Sequence, residues 1–298
     1  MDTQTLKYIG KDLYKTHILK EWKRYIVFMT RCHLHKGQIN DLLDFFKATP
    51  QRQAMLEHTT SFVERAFFYK DSTWDERIDI VKNHIEYMEN IFNDEAIAKL
   101  YVNGERIRLW EDVYEEQPVV MELWFHGGQR KEGCLSLVLS LGADELYQIM
   151  FWLAPSPEDN ELSLWIGALQ GTPNGSEIIK GLTKAFFGYR TKNLIFYGIR
   201  NVAAGLGCKH LYAVSNTGYY AMNHVRRDRK LKTSLDDFWQ ECEGQVCKDQ
   251  RFFEMPIEEY RKSMEELKPS KRAQHRRRFA KMDEITESVT EVLNNYKK

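Results

Sequence analysis

Two short segments contain side chains that can move protons. The segment HGGQRKEG, residues 126–133, holds His126, Arg130 and Glu132 in one loop. Imidazole and carboxylate groups are common general acids and bases, and functional residues concentrate on loops held by rigid strands. Farther along, His224 is a second acid–base candidate, because histidine titrates near neutral pH. The structural alternatives are a hairpin ion pair of Arg130 with Glu132, and a surface location for His224 beside other basic residues.

Basic residues at two other places predict anion binding. Arg190 and Lys192 flank the start of a predicted helix, where free N–H groups and the helix dipole favour negative charge. The basic tract SKRAQHRRRF, residues 270–279, offers Arg272, Arg276 and Arg277 to phosphate groups of lipid A or an acyl carrier protein. Aromatic residues are not interleaved through the tract, so nucleic acid is not the predicted partner. The alternative is that the tract pairs with the acidic segment 71–116.

Charge is unevenly distributed along a chain that is neutral as a whole. The 298 residues include 43 Lys and Arg and 43 Asp and Glu. Segment 1–36 has a net charge of +5, segment 71–116 has −8, and segment 268–281 has +7. With Trp22, Tyr25, Ile26 and Phe28, the first of these segments predicts peripheral contact with anionic lipid at the inner membrane.

The cysteines and the N-terminus indicate a cytoplasmic protein. The five cysteines are odd in number and none has CxxC spacing, so reduced thiols are expected and no metal site is predicted. The longest apolar run near the N-terminus is too short for a signal peptide, and no stretch approaches the length of a membrane span.

The pattern of apolar residues changes twice along the chain. Residues 1–115 are predicted to be helical, and segment 73–92 carries a stripe at helical spacing beside which His84 is expected to be a partly buried, hydrogen-bonded residue. Residues 119–171 alternate apolar runs with turns, which is typical of an antiparallel meander. Afterwards a helix, with Thr191 as its predicted N-cap, is followed by a short strand at 210–214. No dinucleotide or phosphate-loop motif occurs.

This order predicts an α+β fold. A helical N-terminal region, 1–115, precedes a sheet domain, 116–256, with an antiparallel or mixed sheet and flanking helices, and a basic helical tail, 257–298, packs on it. The sheet domain resembles the GNAT acyltransferase fold, whose last strand admits the acyl carrier arm. That resemblance implies a cleft at the strand end Asn216, lined by Gly171 and Tyr219, with Asn216, Tyr219 and His224 as catalytic candidates.

The acyl donor is left open by the sequence. An acyl carrier or coenzyme A is the implied cofactor, with Arg190 and Lys192 or Gln170 and Gly171 as binding candidates. Neither segment has the glycine spacing of the GNAT pyrophosphate loop. The helix that begins near Arg190 is nevertheless expected to open into the same cleft as Asn216.

Several segments together resemble the VirK/YbjX family. They occur in the family's order between about residues 60 and 285: DERIDIVKNHIEYM, RKEGCLSLVLSL, IGALQG, TKAFFGYRTKNLI, AVSN, DDFWQE, FFEMP and SKRAQHRRRF. The resemblance implies a bacterial protein tied to the cell envelope, virulence, resistance to antimicrobial peptides, and microcin maturation beside an acyltransferase-like partner.

Two functional hypotheses follow, and the sequence leaves open whether the chain is an enzyme. The first is acyltransfer-type chemistry that modifies an envelope lipid or a secreted peptide. The second is a non-catalytic envelope or virulence factor, or accessory subunit, that binds an anionic partner such as lipid A, a carrier protein or a maturation enzyme.

Overall fold

The N-terminal part of the molecule is built from helices. A computed structural model of the chain describes residues 3–126, 131–172, 175–223 and 233–298. Six α-helices precede the sheet in its first described range: α1 (Thr3–Leu13), α2 (Leu19–Leu34), α3 (Lys36–Lys47), α4 (Pro50–Thr59), α5 (Trp74–Ile91) and α6 (Asp94–Ile97). A short 3₁₀ segment at Thr60–Phe62 and a π-helical turn at Ala98–Val102 complete this part.

Helix α5 connects the N-terminal helices to the sheet. It begins with a capping box, in which the Thr73 hydroxyl accepts a bond from the backbone of Glu76 and the Glu76 carboxylate accepts one from the backbone of Thr73. Its stripe of Ile78, Val81 and Ile85 is buried, as the helical spacing predicts. The helix packs on the central strand β4 (Asp144–Pro155).

The described strands form one mixed sheet in the order β1-β2-β3-β4-β5-β6-β8-β7. Besides β4, the strands are β1 (Arg106–Tyr114), β2 (Gln117–Trp124), β3 (Leu135–Leu141), β5 (Leu162–Gly171), β6 (His210–Val214), β7 (Gln245–Val246) and β8 (Phe252–Met255). Only the β5–β6 pair of this described sheet is parallel. The predicted class, a helical N-terminal region followed by a mixed sheet with flanking helices, is confirmed, whereas the GNAT likeness stays a prediction.

Strand β1 lies inside the segment that the sequence predicts to be helical. A β-bulge shifts its register between Arg108 and Trp110, so that Leu109 and Trp110 are both buried although they are neighbours. The bulge interrupts the alternation of buried and exposed residues that identifies a strand in a sequence. The prediction of helix up to residue 115 was therefore wrong from Arg106 onward.

The helix and strand predicted at 193–216 are confirmed. Helices α7 (Ser176–Ala185) and α8 (Thr191–Gly205) join β5 to the parallel strand β6. The predicted N-cap was wrong by one residue: Arg190 occupies the N-cap position, and the buried Thr191 hydroxyl donates to the Ile179 carbonyl at 3.3 Å.

Among the described residues, two further α-helices follow β6, α9 (Leu235–Glu241) and α10 (Pro269–Tyr296), after a short 3₁₀ segment at Tyr220–Asn223. Helix α10 packs on α8 and on β1, where Lys281 pairs with Asp112 at 3.0 Å. This contact joins the end of the basic segment to the acidic segment 71–116, so one pair of the predicted alternative is present.

The two faces of the sheet differ in chemistry. Gly198 of α8 lies directly against Met121 and Leu137, which places an apolar face under this helix. Since neighbouring strand residues point to opposite faces, Ser136 lies on the other face. There the Gln148 side chain donates to the Ser136 hydroxyl at 2.9 Å. The candidate site lies on this polar face.

Candidate functional site

A small pocket on the polar face brings together four of the predicted site residues. It has a volume of about 210 Å³ and is lined by His126, Lys131, Glu132, Gln148, Met150, Gln170, Tyr219 and Tyr220. Its residues come from the loop after β2, from β4 and β5, and from the segment after β6. The proposed catalytic residues Glu132, Tyr219 and His126 therefore meet at one place although they are far apart in sequence.

Glu132 is the central ionisable group of the pocket. It is 4% exposed, and its carboxylate accepts hydrogen bonds from the Gln170 amide at 2.7 and 2.8 Å and from the Tyr219 hydroxyl at 2.5 Å. Burial raises the pKa of Glu132, and the hydrogen bonds from Tyr219 and Gln170 oppose that rise. The Glu132 carboxyl group therefore holds a proton more readily than an exposed glutamate does.

Tyr219 is held as a proton donor to Glu132. Burial, followed by the negative charge of Glu132, raises the pKa of Tyr219 far above its ordinary value. The phenol is therefore protonated at neutral pH. Its backbone forms an isolated β-bridge with Tyr69, which fixes the tyrosine against the N-terminal helical part.

Two glycines allow the Glu132 and Tyr219 segments to approach the sheet. A Cβ atom at Gly167 of β5 would lie 1.8 Å from the Glu132 carbonyl oxygen. A Cβ atom at Gly218 would lie 2.0 Å from the Arg251 carbonyl oxygen. Any side chain at either position would displace backbone, so these glycines position Glu132 and Tyr219. Gly167 lies in the motif IGALQG. Nothing in that motif indicates that the backbone of another segment approaches this glycine, so the sequence did not predict its role.

His126 forms the opposite wall of the pocket. Because the Gln148 amide nitrogen can only donate, His126 Nε2 accepts its hydrogen bond, at 2.6 Å. Burial lowers the pKa of His126, which favours the neutral ring. The ring stacks on Trp124 at 4.3 Å between centroids, and the Arg106 guanidinium covers Trp124 at 3.9 Å. Sequence reasoning missed Gln148 and Trp124, because single residues of strands carry no local motif.

Asn216 and Gly171 are placed outside this pocket. The Asn216 amide donates to the Ser234 hydroxyl at 3.0 Å and accepts from the Leu235 backbone at 2.7 Å, so it holds the start of α9. Gly171 pairs with Tyr147 at the end of β5. The two do not form the predicted cleft with Tyr219, because neither lines the pocket that Tyr219 shares with Glu132. His224 and Arg130 lie outside the described residues.

The start of α8 opens into a different cavity. This cavity of about 260 Å³ is lined by Arg190 and Lys192 together with Asp237 and Glu241, and it shares no lining residue with the Glu132 pocket. Arg190 pairs with Glu241 at 2.5 Å, and the Lys192 ammonium lies 3.9 Å from the centre of the Phe238 ring. The expectation that this helix start opens into the same cleft as Asn216, Gly171 and Tyr219 was wrong, since none of those three residues lines this cavity. Phosphate binding by Arg190 and Lys192 stays a prediction.

The basic tract at the start of α10 is only partly engaged in the fold. Arg272 donates to the Leu267 carbonyl at 3.2 Å, and Arg278 donates to the Phe187 carbonyl at 2.9 Å. Arg276 and Arg277 are exposed, and neither forms a hydrogen bond or an ion pair with a described residue. These two guanidinium groups are available to an anionic partner.

The described residues contain neither a candidate metal centre nor a helix that could span a membrane. No group of three or more His, Cys, Asp or Glu side chains within the described ranges is arranged to hold a metal ion. No helix in the described part of the chain is long and apolar enough to cross a bilayer.

The fold and the pocket define a mixed α/β protein with a buried carboxyl–phenol pair on the polar face of its sheet. A family model described as "protein of unknown function (DUF535)" matches residues 17–291, so the chain belongs to this family. YbjX of Escherichia coli is 31% identical over 129 residues, which cover 41% of this chain and 38% of YbjX. The resemblance to the VirK/YbjX family is confirmed.

A second relative covers more of the chain. A protein of Haemophilus influenzae described as uncharacterized is 22% identical over 268 residues, which cover 87% of each chain. No solved structure matches the chain significantly.

Proposed function

We propose that the chain is an acyltransfer-type enzyme that uses Glu132 as general base and Tyr219 as general acid. The observation that carries this proposal is the 2.5 Å hydrogen bond between a buried carboxyl group and a buried phenol in the wall of a pocket. The acceptor class, an envelope lipid or a secreted peptide, is supported by the resemblance to the VirK/YbjX family.

Acyl transfer from a thioester needs a base that takes a proton from the acceptor and an acid that gives a proton to the leaving thiolate. Glu132 and Tyr219 can supply these two groups. Glu132 takes the proton of the acceptor amine or hydroxyl as that atom attacks the thioester carbonyl. The C–S bond then breaks, and the leaving thiolate takes the Tyr219 proton. Glu132 returns its proton to Tyr219 through the existing hydrogen bond, so the products are the acylated acceptor and a free thiol and both residues recover their starting states.

Gln170 positions Glu132, and His126 lines the same pocket. Gln170 donates to both carboxylate oxygens of Glu132 and so fixes the carboxyl plane. The neutral His126 lies across the pocket, bonded to Gln148. In this proposal the donor is an acyl thioester carried by a carrier protein or by coenzyme A, and the pocket residues touch its acyl end only.

The test is thiol release from a panel of acyl thioesters, on carrier protein and on coenzyme A, with an extract of envelope lipids and peptides as acceptor. Glu132→Gln and Tyr219→Phe are expected to slow thiol release roughly 100- to 10,000-fold. Glu254→Gln, a change at a partly exposed carboxylate that pairs with His210, is the matched control and is expected to retain activity. Full activity of Glu132→Gln, or no acceptor-dependent release with any thioester, would contradict the proposal.

The exposed Arg276 and Arg277 favour a second candidate, a non-catalytic factor that binds an anionic partner. The partners to be tested are lipid A, an acyl carrier protein and an acyltransferase-like maturation enzyme. In a cellular assay of antimicrobial-peptide resistance, loss of function in the double variant Arg276→Gln, Arg277→Gln with full function in Glu132→Gln would favour this candidate over the enzyme.

We also propose a cytoplasmic location with peripheral contact to the inner membrane. Leu19, Trp22 and Ile26 of α2 are exposed, whereas Phe28, which the sequence placed on the same lipid-facing surface, is fully buried against the other helices. Phe28 lies on the opposite side of the helix from Trp22, because six residues correspond to more than one and a half turns.

A further inference from the structure

A second and larger cavity lies on the sheet beside α5. It has a volume of about 700 Å³, and its aromatic lining residues are Tyr69, Trp152, Trp165, Tyr212 and Phe252. It shares no lining residue with the Glu132 pocket. Tyr69 lines this cavity and Tyr219 lines the Glu132 pocket, and their backbones form the bridge that separates the two.

Three of these rings form a ladder across neighbouring strands. Trp152 of β4 is paired with Trp165 of β5, which is paired with Tyr212 of β6. The centre of the Trp165 ring lies 4.2 Å from that of Tyr212 and 6.1 Å from that of Trp152. The planes of the two tryptophan rings are nearly parallel, with 8° between them. Phe252 of β8 meets Trp165 edge-on at 5.0 Å. Because each ring is anchored on a strand, the aromatic surface is rigid before any ligand binds.

The aromatic faces of the cavity already hold one cation. The Arg251 guanidinium lies 4.8 Å from the centre of the Tyr69 ring and 6.0 Å from that of Phe252. Its charge is neutralised by Asp249, which accepts from Nε at 3.0 Å and from Nη2 at 2.7 Å. Arg251 is therefore not available to bind an anion without breaking this pair.

The remaining charges of the cavity are mainly negative. Glu76 accepts a bond from the Thr73 backbone at 2.7 Å and one from the Tyr69 hydroxyl, and it forms no ion pair with a described residue. Glu158 is exposed and likewise forms no ion pair within the described part of the chain. Lys248 is the one lining base besides Arg251. Two unpaired carboxylates thus face one lysine.

We propose that this cavity binds a small organic cation with an alkylammonium group, which contacts the aromatic lining that includes Trp165 and has Glu76 as its counter-charge. Aromatic rings attract cations, and tryptophan attracts them most strongly. The attraction is larger in a cavity that shields the cation from water than at an exposed site. The volume of the cavity lies within the range of small-molecule sites. This proposal does not depend on the proposed acyl transfer.

The test uses choline and its uncharged carbon analogue, in which a tert-butyl group replaces the trimethylammonium group. Both are titrated against the full chain, with binding followed by calorimetry and tryptophan fluorescence. Because the two ligands have the same shape, the cation–π contact is expected to make choline bind at least about 5-fold more tightly. Equal binding of the two, binding of neither, or stronger binding of inorganic phosphate than of choline would overturn the proposal.

Two substitutions assign the site within the chain. Glu76→Gln removes the charge, and glutamine preserves the capping box of α5, so the fold is expected to persist. This variant and Trp165→Leu are each expected to weaken choline binding about 10-fold, which corresponds to about 1.4 kcal/mol. Trp22→Leu, at an exposed tryptophan of α2, is the matched control and is expected to bind normally. Unchanged binding in folded Glu76→Gln would show that the cation is held elsewhere.

Discussion

His84 of α5 accepts the backbone N–H of Leu153 in β4, with 3.0 Å between Nδ1 and the amide nitrogen. Its other ring nitrogen lies 2.6 Å from the Tyr101 hydroxyl, and the side chain is fully buried. The bond from Leu153 requires an unprotonated Nδ1, so a neutral histidine joins the N-terminal helices to the centre of the sheet. The expected hydrogen bonding of this histidine is confirmed, whereas its burial is complete and not partial as the sequence predicted.

This contact predicts a loss of stability in acid. Burial lowers the pKa of His84 to about 3, against about 6.5 in the unfolded chain, so the folded state disfavours the proton that the unfolded state binds. The contribution of neutral His84 is complete above the unfolded pKa and decreases as pH falls below it. At pH 5 the loss is about 2 kcal/mol of unfolding free energy.

Urea unfolding of the wild type and of His84→Gln between pH 8 and pH 4.5 checks this prediction. Glutamine can still accept the Leu153 N–H but does not titrate, so the variant is expected to show a smaller decrease of unfolding free energy with falling pH. The same pH dependence in both proteins would mean that another group is responsible.

Glu132→Gln is expected to stabilise the protein while it removes activity. Burial raises the pKa of Glu132, so the folded state resists ionisation, and stability decreases as pH rises through the range in which the unfolded carboxyl ionises. A neutral amide avoids that cost at neutral pH. We expect a gain of roughly 0.5–2 kcal/mol by thermal unfolding at neutral pH. A lower melting temperature would indicate that the ionised carboxylate contributes net stability through Gln170 and Tyr219.

The sequence was sufficient to predict the general class of the fold and half of the residues that line the Glu132 pocket. Glu132 and His126 were recognisable because they share one loop, and Tyr219 because it follows a predicted strand end. Their meeting depends on the pairing of β4 with β5 and on the bridge from Tyr219 to Tyr69, which are long-range contacts that no local pattern encodes. Gln148 and Trp124 were missed for the same reason.

Asn216 shows where local reasoning failed. A polar residue directly after a buried strand resembles a ligand group, but the same side chain chemistry also suits the start of a helix. Here Asn216 bonds Ser234 and the backbone of Leu235, about twenty residues along the chain. The choice between the two roles is made by the position of α9, which the sequence did not provide.

Gly167→Ala is expected to disable the site through the backbone. The added Cβ would lie 1.8 Å from the Glu132 carbonyl, so the loop before β3 must move and Glu132 with it. We expect a loss of about 1–3 kcal/mol in unfolding free energy and of most thiol-release activity. Gly37→Ala, in the first turn of α3, is the control, because nothing lies within 4 Å of its added Cβ. An active, stable Gly167→Ala would mean that the loop tolerates displacement.

The last prediction concerns the exposed apolar side of α2. Leu19 and Trp22 are 70% and 47% exposed, one turn apart, with the exposed Lys20 and Lys23 beside them. A helix with apolar and basic residues at its surface binds anionic lipid through both. Flotation with vesicles that contain anionic phospholipid is expected to recover the wild type, and replacement of Leu19 or Trp22 by Gln is expected to reduce partitioning about 10-fold each.

Substitutions are preferable to deletion of residues 1–36, since that segment also contributes the buried Leu6 and Phe28. Val246→Gln, at an exposed apolar residue of β7, controls for general hydrophobicity and is expected to float like the wild type. If all the variants floated equally, or if no protein floated with either neutral or anionic vesicles, α2 would be excluded as a membrane contact.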